Sequence, residues 1–366
     1  MALRARELGL PFPGVTGPLN AITDVPGVRV GFCTLTDPAR KMRTGVTAIL
    51  PRPDQGGPDQ GGPDQGGPEP VRAGHFSLNG NGEMTGTHWI DDAGYFIGPV
   101  CITNTHGVGA VHHGAVQWML ETYRDHFAGH AWAMPVVAET YDGVLNDINA
   151  LHVTPAHALH ALRNAAGGRV AEGSSGGGNG MIAYGFKAGT GTASRRVRIG
   201  AQDYTVGALV QANHGQRDWF QVLGVPVGQL MPEQLWRDKE QGSIIVVLAT
   251  DAPLSGLALR ALAKRAALGV GRGGSPGGHS SGDIFLAFSV AGYGPMPQDA
   301  GPLVQRQDLN GEWLNPLYLA AVETVEEAVV NAIVAGEDVV AVKPAGLVVP
   351  GIDCARLAAL FRHLAP

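Results

Sequence analysis

The stretch Glu240-Gln241-Gly242-Ser243-Ile244-Ile245-Val246-Val247-Leu248-Ala249-Thr250-Asp251-Ala252-Pro253-Leu254 decides how the rest of the chain is read. Residues 244–249 are apolar at both parities. A strand alternates its side chains between two faces, so a run apolar on both must be covered on both. The sequence therefore predicts a central strand over Ser243–Ala249, its first residue a serine with glycine before it. A serine at the mouth of a buried strand is ordinary by itself, and only its wider sequence context gives it chemical meaning.

Working outward, short branched-aliphatic runs bounded by Gly, Pro or Asp predict further strands at Val28–Leu35, Val46–Leu50, Val100–Thr105, Met134–Thr140, Met181–Phe186, Tyr204–Ala212, Ile284–Val290 and Val339–Val342. Helices are predicted at Ala110–Arg124, Leu257–Leu268 and Ala355–His363. Thr154 before Pro155 opens another over Ala156–Ala166, and Asn315 before Pro316 opens one with Val322, Val325, Val329 and Ile333 on one stripe, stopped at Gly336. Strands and helices do not alternate strictly, because Met181–Ala212 reads as consecutive strands with no crossover helix. That disfavours a doubly wound parallel sheet and favours two packed sheets with helices outside.

Composition bounds the function. The 366 residues are 44% hydrophobic with a net charge of −6, which excludes a mainly disordered chain and gives no basic footprint for nucleic acid or anionic lipid. The 54 glycines and 25 prolines point to tight turns and close backbone approaches. Cys33, Cys101 and Cys354 are odd in number and form no CxxC pair, so neither a disulfide framework nor a zinc site is expected. With no secretory apolar stretch after MALRARELGLPFPG and no run of membrane-spanning length, the expected location is the cytoplasm, with no membrane partner. Residues 53–68, in which Pro-Asp-Gln-Gly-Gly recurs at Pro53, Pro58 and Pro63, read as a flexible loop.

Other motifs carry less. Gly173-Ser174-Ser175-Gly176-Gly177 and Gly273-Gly274-Ser275-Pro276-Gly277 match GxSxG. A nucleophile elbow needs a strand before it, a helix after it and a backbone N–H following the serine. Pro276 lacks that N–H, and Ser175 runs into glycines. The glycine-rich loops lack the GK[ST] ending of a phosphate loop, and the histidines His112-His113, His152, His157 and His160 have no carboxylate at a metal-binding spacing.

The context for Ser243 is supplied by six segments in order: ITNTHGVG at Ile102–Gly109, AETYDGVLNDIN at Ala138–Asn149, GFKAGTGTASR at Gly185–Arg195, ALVQANHG at Ala208–Gly215, GSIIVVLATDAPL from Gly242, and SSGDIFLAF at Ser280–Phe288. Together they resemble the DmpA-type family of L-aminopeptidase/D-amidases and β-peptidyl aminopeptidases, over about Leu10 to Val349. The resemblance implies an αββα sandwich, a four-layer fold close to that of N-terminal-nucleophile hydrolases and shared with ornithine acetyltransferases. It also implies one catalytic domain that cleaves itself at Gly242–Ser243 into residues 1–242 and 243–366, and a homo-oligomer, a tetramer of such pairs.

The same resemblance assigns roles. Ser243 is the nucleophile; its freed α-amine, with an unperturbed pKa of about 7.7–8.0, takes the proton from its own Oγ. Ser281 and Asp283 form a relay beside it, and Asn213 supplies an oxyanion donor. Glu139 meets the substrate ammonium, and Tyr141 donates to the oxyanion. Family members often carry Glu where this chain has Asp283, which leaves open whether the shorter acid reaches Ser281 directly or through a water; Ser280 is the alternative relay serine if the register slips by one. The implied substrate is a small peptide, amide or ester with a free amino end, and neither metal nor organic cofactor is needed. Two alternatives stand beside this reading: ornithine-acetyltransferase-like acyl transfer, against which the serine in place of threonine argues, and a catalytically silent binding protein of the same fold.

Overall fold

A computed structural model describes residues 3–52, 68–233, 242–292, 294 and 296–362. Most of the repeat at 53–68 lies outside them. In chain order the strands are β1 (Arg29–Asp37), β2 (Met42–Leu50), β3 (Val71–Ser77), β4 (Tyr95–Phe96), β5 (Val100–Asn104), β6 (Val136–Thr140), β7 (Ile182–Ala183), β8 (Phe186–Lys187), β9 (Thr190–Ile199), β10 (Gln202–Asn213), β11 (Ser243–Thr250), β12 (Ile284–Ser289), β13 (Val339–Val340) and β14 (Val348–Val349). The helices are α1 (Thr87–Ala93), α2 (Val108–Thr122), α3 (Arg124–Phe127), α4 (Pro155–Arg163), α5 (Val227–Leu230), α6 (Gly256–Arg272), α7 (Asn315–Val334) and α8 (Cys354–Phe361).

Two sheets carry the fold. One has the order β1-β2-β5-β6, the other β4-β3-β12-β11-β10-β9. The parity of β11 shows how they stack. Ile245, Val247 and Ala249 join Ile49, Ile102 and Ala138 of the smaller sheet in one apolar layer, while Ile244, Val246 and Leu248 join residues of α6 and α7, such as Leu262 and Val325, in another. A third layer packs the smaller sheet on α2 and α4 through Val46, Ala48, Ala115 and Ala158. The result is an αββα sandwich, in which β11 is covered on both faces as its sequence requires.

The structure differs from the sequence reading in instructive places. Met181–Phe186 is not one strand but the hairpin β7–β8, because Tyr184 and Gly185 take positive φ of 51° and 72°, the geometry of a two-residue turn. Strands β3 and β9 were not separately legible. Each contains a glycine on which a helix presses: a Cβ at Gly74 would fall 2.0 Å from the Arg260 nitrogen of α6, and one at Gly191 2.0 Å from the Ala328 carbonyl oxygen of α7. Glycine is a weak strand former, yet only glycine admits helices this close. Helix α7 begins at Asn315 itself rather than after it.

Candidate active site

Strand pairing brings the predicted residues together. In the antiparallel pair β10–β11, Asn213 lies opposite Ser243, the last residue of one strand against the first of the next. Both share the parity of Leu209 and Ile245 and so face the space between the sheets. Parallel pairing of β11 with β12 sets Ile245 beside Ile284, which carries the preceding Ser281-Gly282-Asp283 alongside Ser243. Ser243, Asn213, Ser281, Asp283 and Glu139 are all buried.

Around Ser243 the contacts are specific. The Gly282 N–H donates to Ser243 Oγ at 3.0 Å. Ser281 Oγ donates to Asp283 Oδ1 at 2.5 Å, so the shorter acid reaches the serine directly. The same oxygen accepts the Ile244 N–H at 3.2 Å, tying the acid to the residue after the nucleophile. Burial pushes the Asp283 carboxyl above its usual range, and the hydrogen bonds from Ser281, Asn79 and Ile244 pull back against it. No hydrogen bond joins Ser281 to Ser243 among the described residues; the segment touches Ser243 Oγ through the Gly282 amide.

Gly242 is steric in character. A Cβ there would lie 1.7 Å from the Asn213 carbonyl oxygen. Its φ is not in the left-handed region, so close approach, rather than an unusual backbone angle, is what requires glycine before Ser243.

Asn213 is held with one donor to spare. Its Oδ1 accepts the Ile182 N–H at 2.9 Å and its Nδ2 donates to the Tyr141 carbonyl at 2.9 Å, which fixes the amide orientation. An amide nitrogen carries two hydrogens, so one remains for a ligand. Tyr141 is 41% exposed and its ring folds over Gly143, where a Cβ would lie 2.2 Å from the hydroxyl. Its carbonyl, rather than its hydroxyl, is what holds Asn213.

Glu139, in β6, accepts the Glu83 N–H at 3.0 Å on one carboxylate oxygen and the Thr105 hydroxyl on the other. Burial raises its pKa, and no ion pair to it is found among the described residues. Gly82 separates it from the relay: a Cβ on Gly82 would lie 3.3 Å from Glu139 Oε1 and 3.1 Å from Gly282 Cα.

Sequence reasoning passed over Asn79, Gly282, Thr105 and Asp142. Asp142, next in sequence to Tyr141, is buried, accepts from Asn104 at 3.0 Å and Asn146 at 3.1 Å, and has its pKa raised to about 6 by burial. The clue to Asn79 was the turn sequence Asn79-Gly80-Asn81-Gly82 after a strand, a signal for a turn but not for its target. Neither elbow-like serine sits in an elbow: Ser275 follows α6 rather than a strand, and Ser175 leads into a single 3₁₀ segment, Gly176–Gly180.

Comparison with known proteins gives the family. The model for peptidase family S58 matches residues 20–345. The chain belongs to that family. Beta-peptidyl aminopeptidase BapA of Sphingosinicella microcystinivorans is 44% identical, the match covering 98% of this chain and 92% of that protein. The solved L-aminopeptidase D-Ala-esterase/amidase of Ochrobactrum anthropi, itself described as a variant of the Ntn hydrolase fold, superposes with a TM-score of 0.91 at 55% identity, covering 99% of this chain and 98% of that one. The beta-aminopeptidase of Burkholderia sp. gives 0.86 at 44% identity, covering 100% and 99%. The S58 chain described here is thus a hydrolase of aminopeptidase and amidase type, on an Ntn-hydrolase-like αββα fold. No helix among the described residues is long and apolar enough to cross a membrane.

Proposed function

We propose that the protein cleaves its own Gly242–Ser243 bond and that Ser243 then removes N-terminal residues from small peptides, amides or esters through a seryl acyl-enzyme. The observation that carries this is Ser243 Oγ at the strand mouth, held by the Gly282 N–H at 3.0 Å with Asn213 opposite. Cleavage frees the Ser243 α-amine, a base with an unperturbed pKa near neutrality beside its own hydroxyl. Asn213, with an amide hydrogen in hand, stabilises the oxyanion, and the Ser281–Asp283 pair orients the reacting groups. The acyl-enzyme is then hydrolysed by water.

The buried carboxylate of Glu139, in no ion pair among the described residues, suits a substrate ammonium. It makes the activity an aminopeptidase one. The names of the relatives span L-amino acids, D-Ala esters and amides, and β-peptides, and the same range is proposed here. Tyr141, half-exposed beside Asn213, is the proposed lip of the site, its hydroxyl a donor to the oxyanion. A tetramer of cleaved pairs and a cytoplasmic location are part of the proposal; three free cysteines, two of them buried, fit a reducing compartment.

The test combines mass and rate. Denatured protein should give two masses divided at Gly242–Ser243, and p-nitroanilides of L-Ala, D-Ala and β-Ala should be turned over while their N-acetyl forms fall at least roughly tenfold, as Glu139 loses its partner. Active protein of a single intact mass would overturn the maturation, and equal rates on acetylated substrates would overturn the role of Glu139.

A further inference from the structure

Residues 78–83, between β3 and α1, run along the relay and touch it at almost every step. The Leu78 N–H donates to the Asp283 carbonyl at 2.9 Å, the Asn81 N–H to the Ser281 carbonyl at 3.3 Å, and Asn81 Nδ2 to the Ser280 carbonyl at 2.7 Å. Gly82 faces Gly282 so closely that a Cβ on Gly282 would lie 2.7 Å from Gly82 Cα. The Glu83 N–H then reaches Glu139. The most committed residue is Asn79. Its Oδ1 accepts the Asp283 N–H at 2.6 Å, while its Nδ2 donates to Asp283 Oδ2 at 3.1 Å and to the Gly278 carbonyl at 3.0 Å. One amide therefore grips the backbone and the carboxylate of the same residue, and both its hydrogens are spent.

We propose that Asn79 is a positioning residue for the reaction: by holding Asp283 at both its N–H and its carboxylate, it sets the short acid at direct hydrogen-bond reach of Ser281 and keeps Gly282 against Ser243 Oγ. The proposal rests on the reading that Ser281 and Asp283 serve Ser243. The physical argument is one of restraint. A carboxylate has two oxygens that rotate together; with Oδ2 fixed by Asn79, Oδ1 is left pointing at Ser281 and the Ile244 N–H. Asn79 touches neither Ser243 nor a substrate, so its effect passes through Asp283.

A double-mutant cycle tests this on the full chain, with rates on the best p-nitroanilide normalised to the cleaved fraction read by mass. Asn79→Ala should lower kcat at least tenfold with KM changed less than twofold, and Asn79→Ala combined with Asp283→Ala should be no more than twofold slower than Asp283→Ala alone. If Asn79→Ala fails to fold, Asn79→Asp decides: it keeps the acceptor for the Asp283 N–H but sets like charges together, so it should slow the native chain at least tenfold and have less than a twofold effect once Asp283 is alanine. Losses that multiply across the cycle, or an Asn79 variant of native rate beside a slow Asp283→Ala, would overturn the positioning role and leave the relay standing. An Asp283→Ala protein of native rate would instead overturn the relay, and the proposal with it.

Discussion

Two buried aspartates, Asp283 and Asp142, differ in the role proposed for them although their surroundings are alike. Both are fully buried, both have raised pKa values because burial disfavours the charged form, and both accept from asparagine side chains: Asn79 for one, Asn104 and Asn146 for the other. What separates them is what their partners touch next. Asp283 accepts hydrogen bonds from the Ser281 hydroxyl and from the N–H of Ile244, one residue from the nucleophile. Asp142 takes amide and Thr44 hydroxyl donors and braces the turn that follows it, its carbonyl accepting the N–H groups of Leu145 and Asn146. Burial and a shifted pKa thus mark both the aspartate of the proposed relay and one that braces a turn, and only the next contact outward tells them apart.

The largest expected effect fixes the reference for that contrast. Ser243→Ala should remain one chain by mass and lose roughly 10³-fold or more of its activity, because nucleophile and future base disappear together. Retention of cleavage by this variant would remove the reason to rank Asp283 above Asp142.

Next come the two acids themselves. Asp283→Asn should lower kcat roughly 10²-fold, while Asp142→Asn should lower it less than roughly tenfold. The pH profile adds a sign. Burial raises the Asp283 pKa above 3.8, so the ionised form, and with it the relay, is lost as pH falls through that raised value; this further loss, on the acid side of the limb set by the α-amine, should be absent in Asp283→Asn. Equal losses in the two variants would erase the distinction.

A smaller effect is one of stability. The Asp142 pKa is raised from 3.8 to about 6, so the folded state holds the proton more tightly than the unfolded chain. The stability from this group is fully present below pH 3.8 and is lost as pH rises through about 6, by about 3 kcal/mol in all at 1.36 kcal/mol per unit. Denaturant midpoints measured across that window should fall more steeply with pH in the native protein than in Asp142→Asn.

The least effect is expected of Ser275→Ala. Ser275 is 5% exposed and its hydroxyl accepts the Gly277 N–H at 3.3 Å, a contact within its own turn. Its kcat should stay within about twofold of native. An inactive Ser275→Ala beside an active Ser243→Ala would reverse the assignment of the nucleophile.

The candidate site was unevenly legible. Ser243, Ser281, Asp283, Asn213 and Glu139 were reached through short segments that resemble a family, and strand pairing brings them to one end of the two sheets. Asn79 carried no such mark. It lies 204 residues from Asp283, and nothing in a turn sequence says which distant loop it will grip.

Local pattern by itself determined the central strand, because a run apolar at both parities is stable only when covered twice; it also determined the glycine and serine at its mouth and the helix opened at Thr154 before Pro155. Tertiary structure alone decided that Gly74 and Gly191 belong to strands and that Asp283 reaches Ser281 unaided. The physical reason is common to all three. A helix pressed on a sheet, or an amide holding a carboxylate, is a contact between segments far apart in sequence, and its energy appears in neither segment until both have folded.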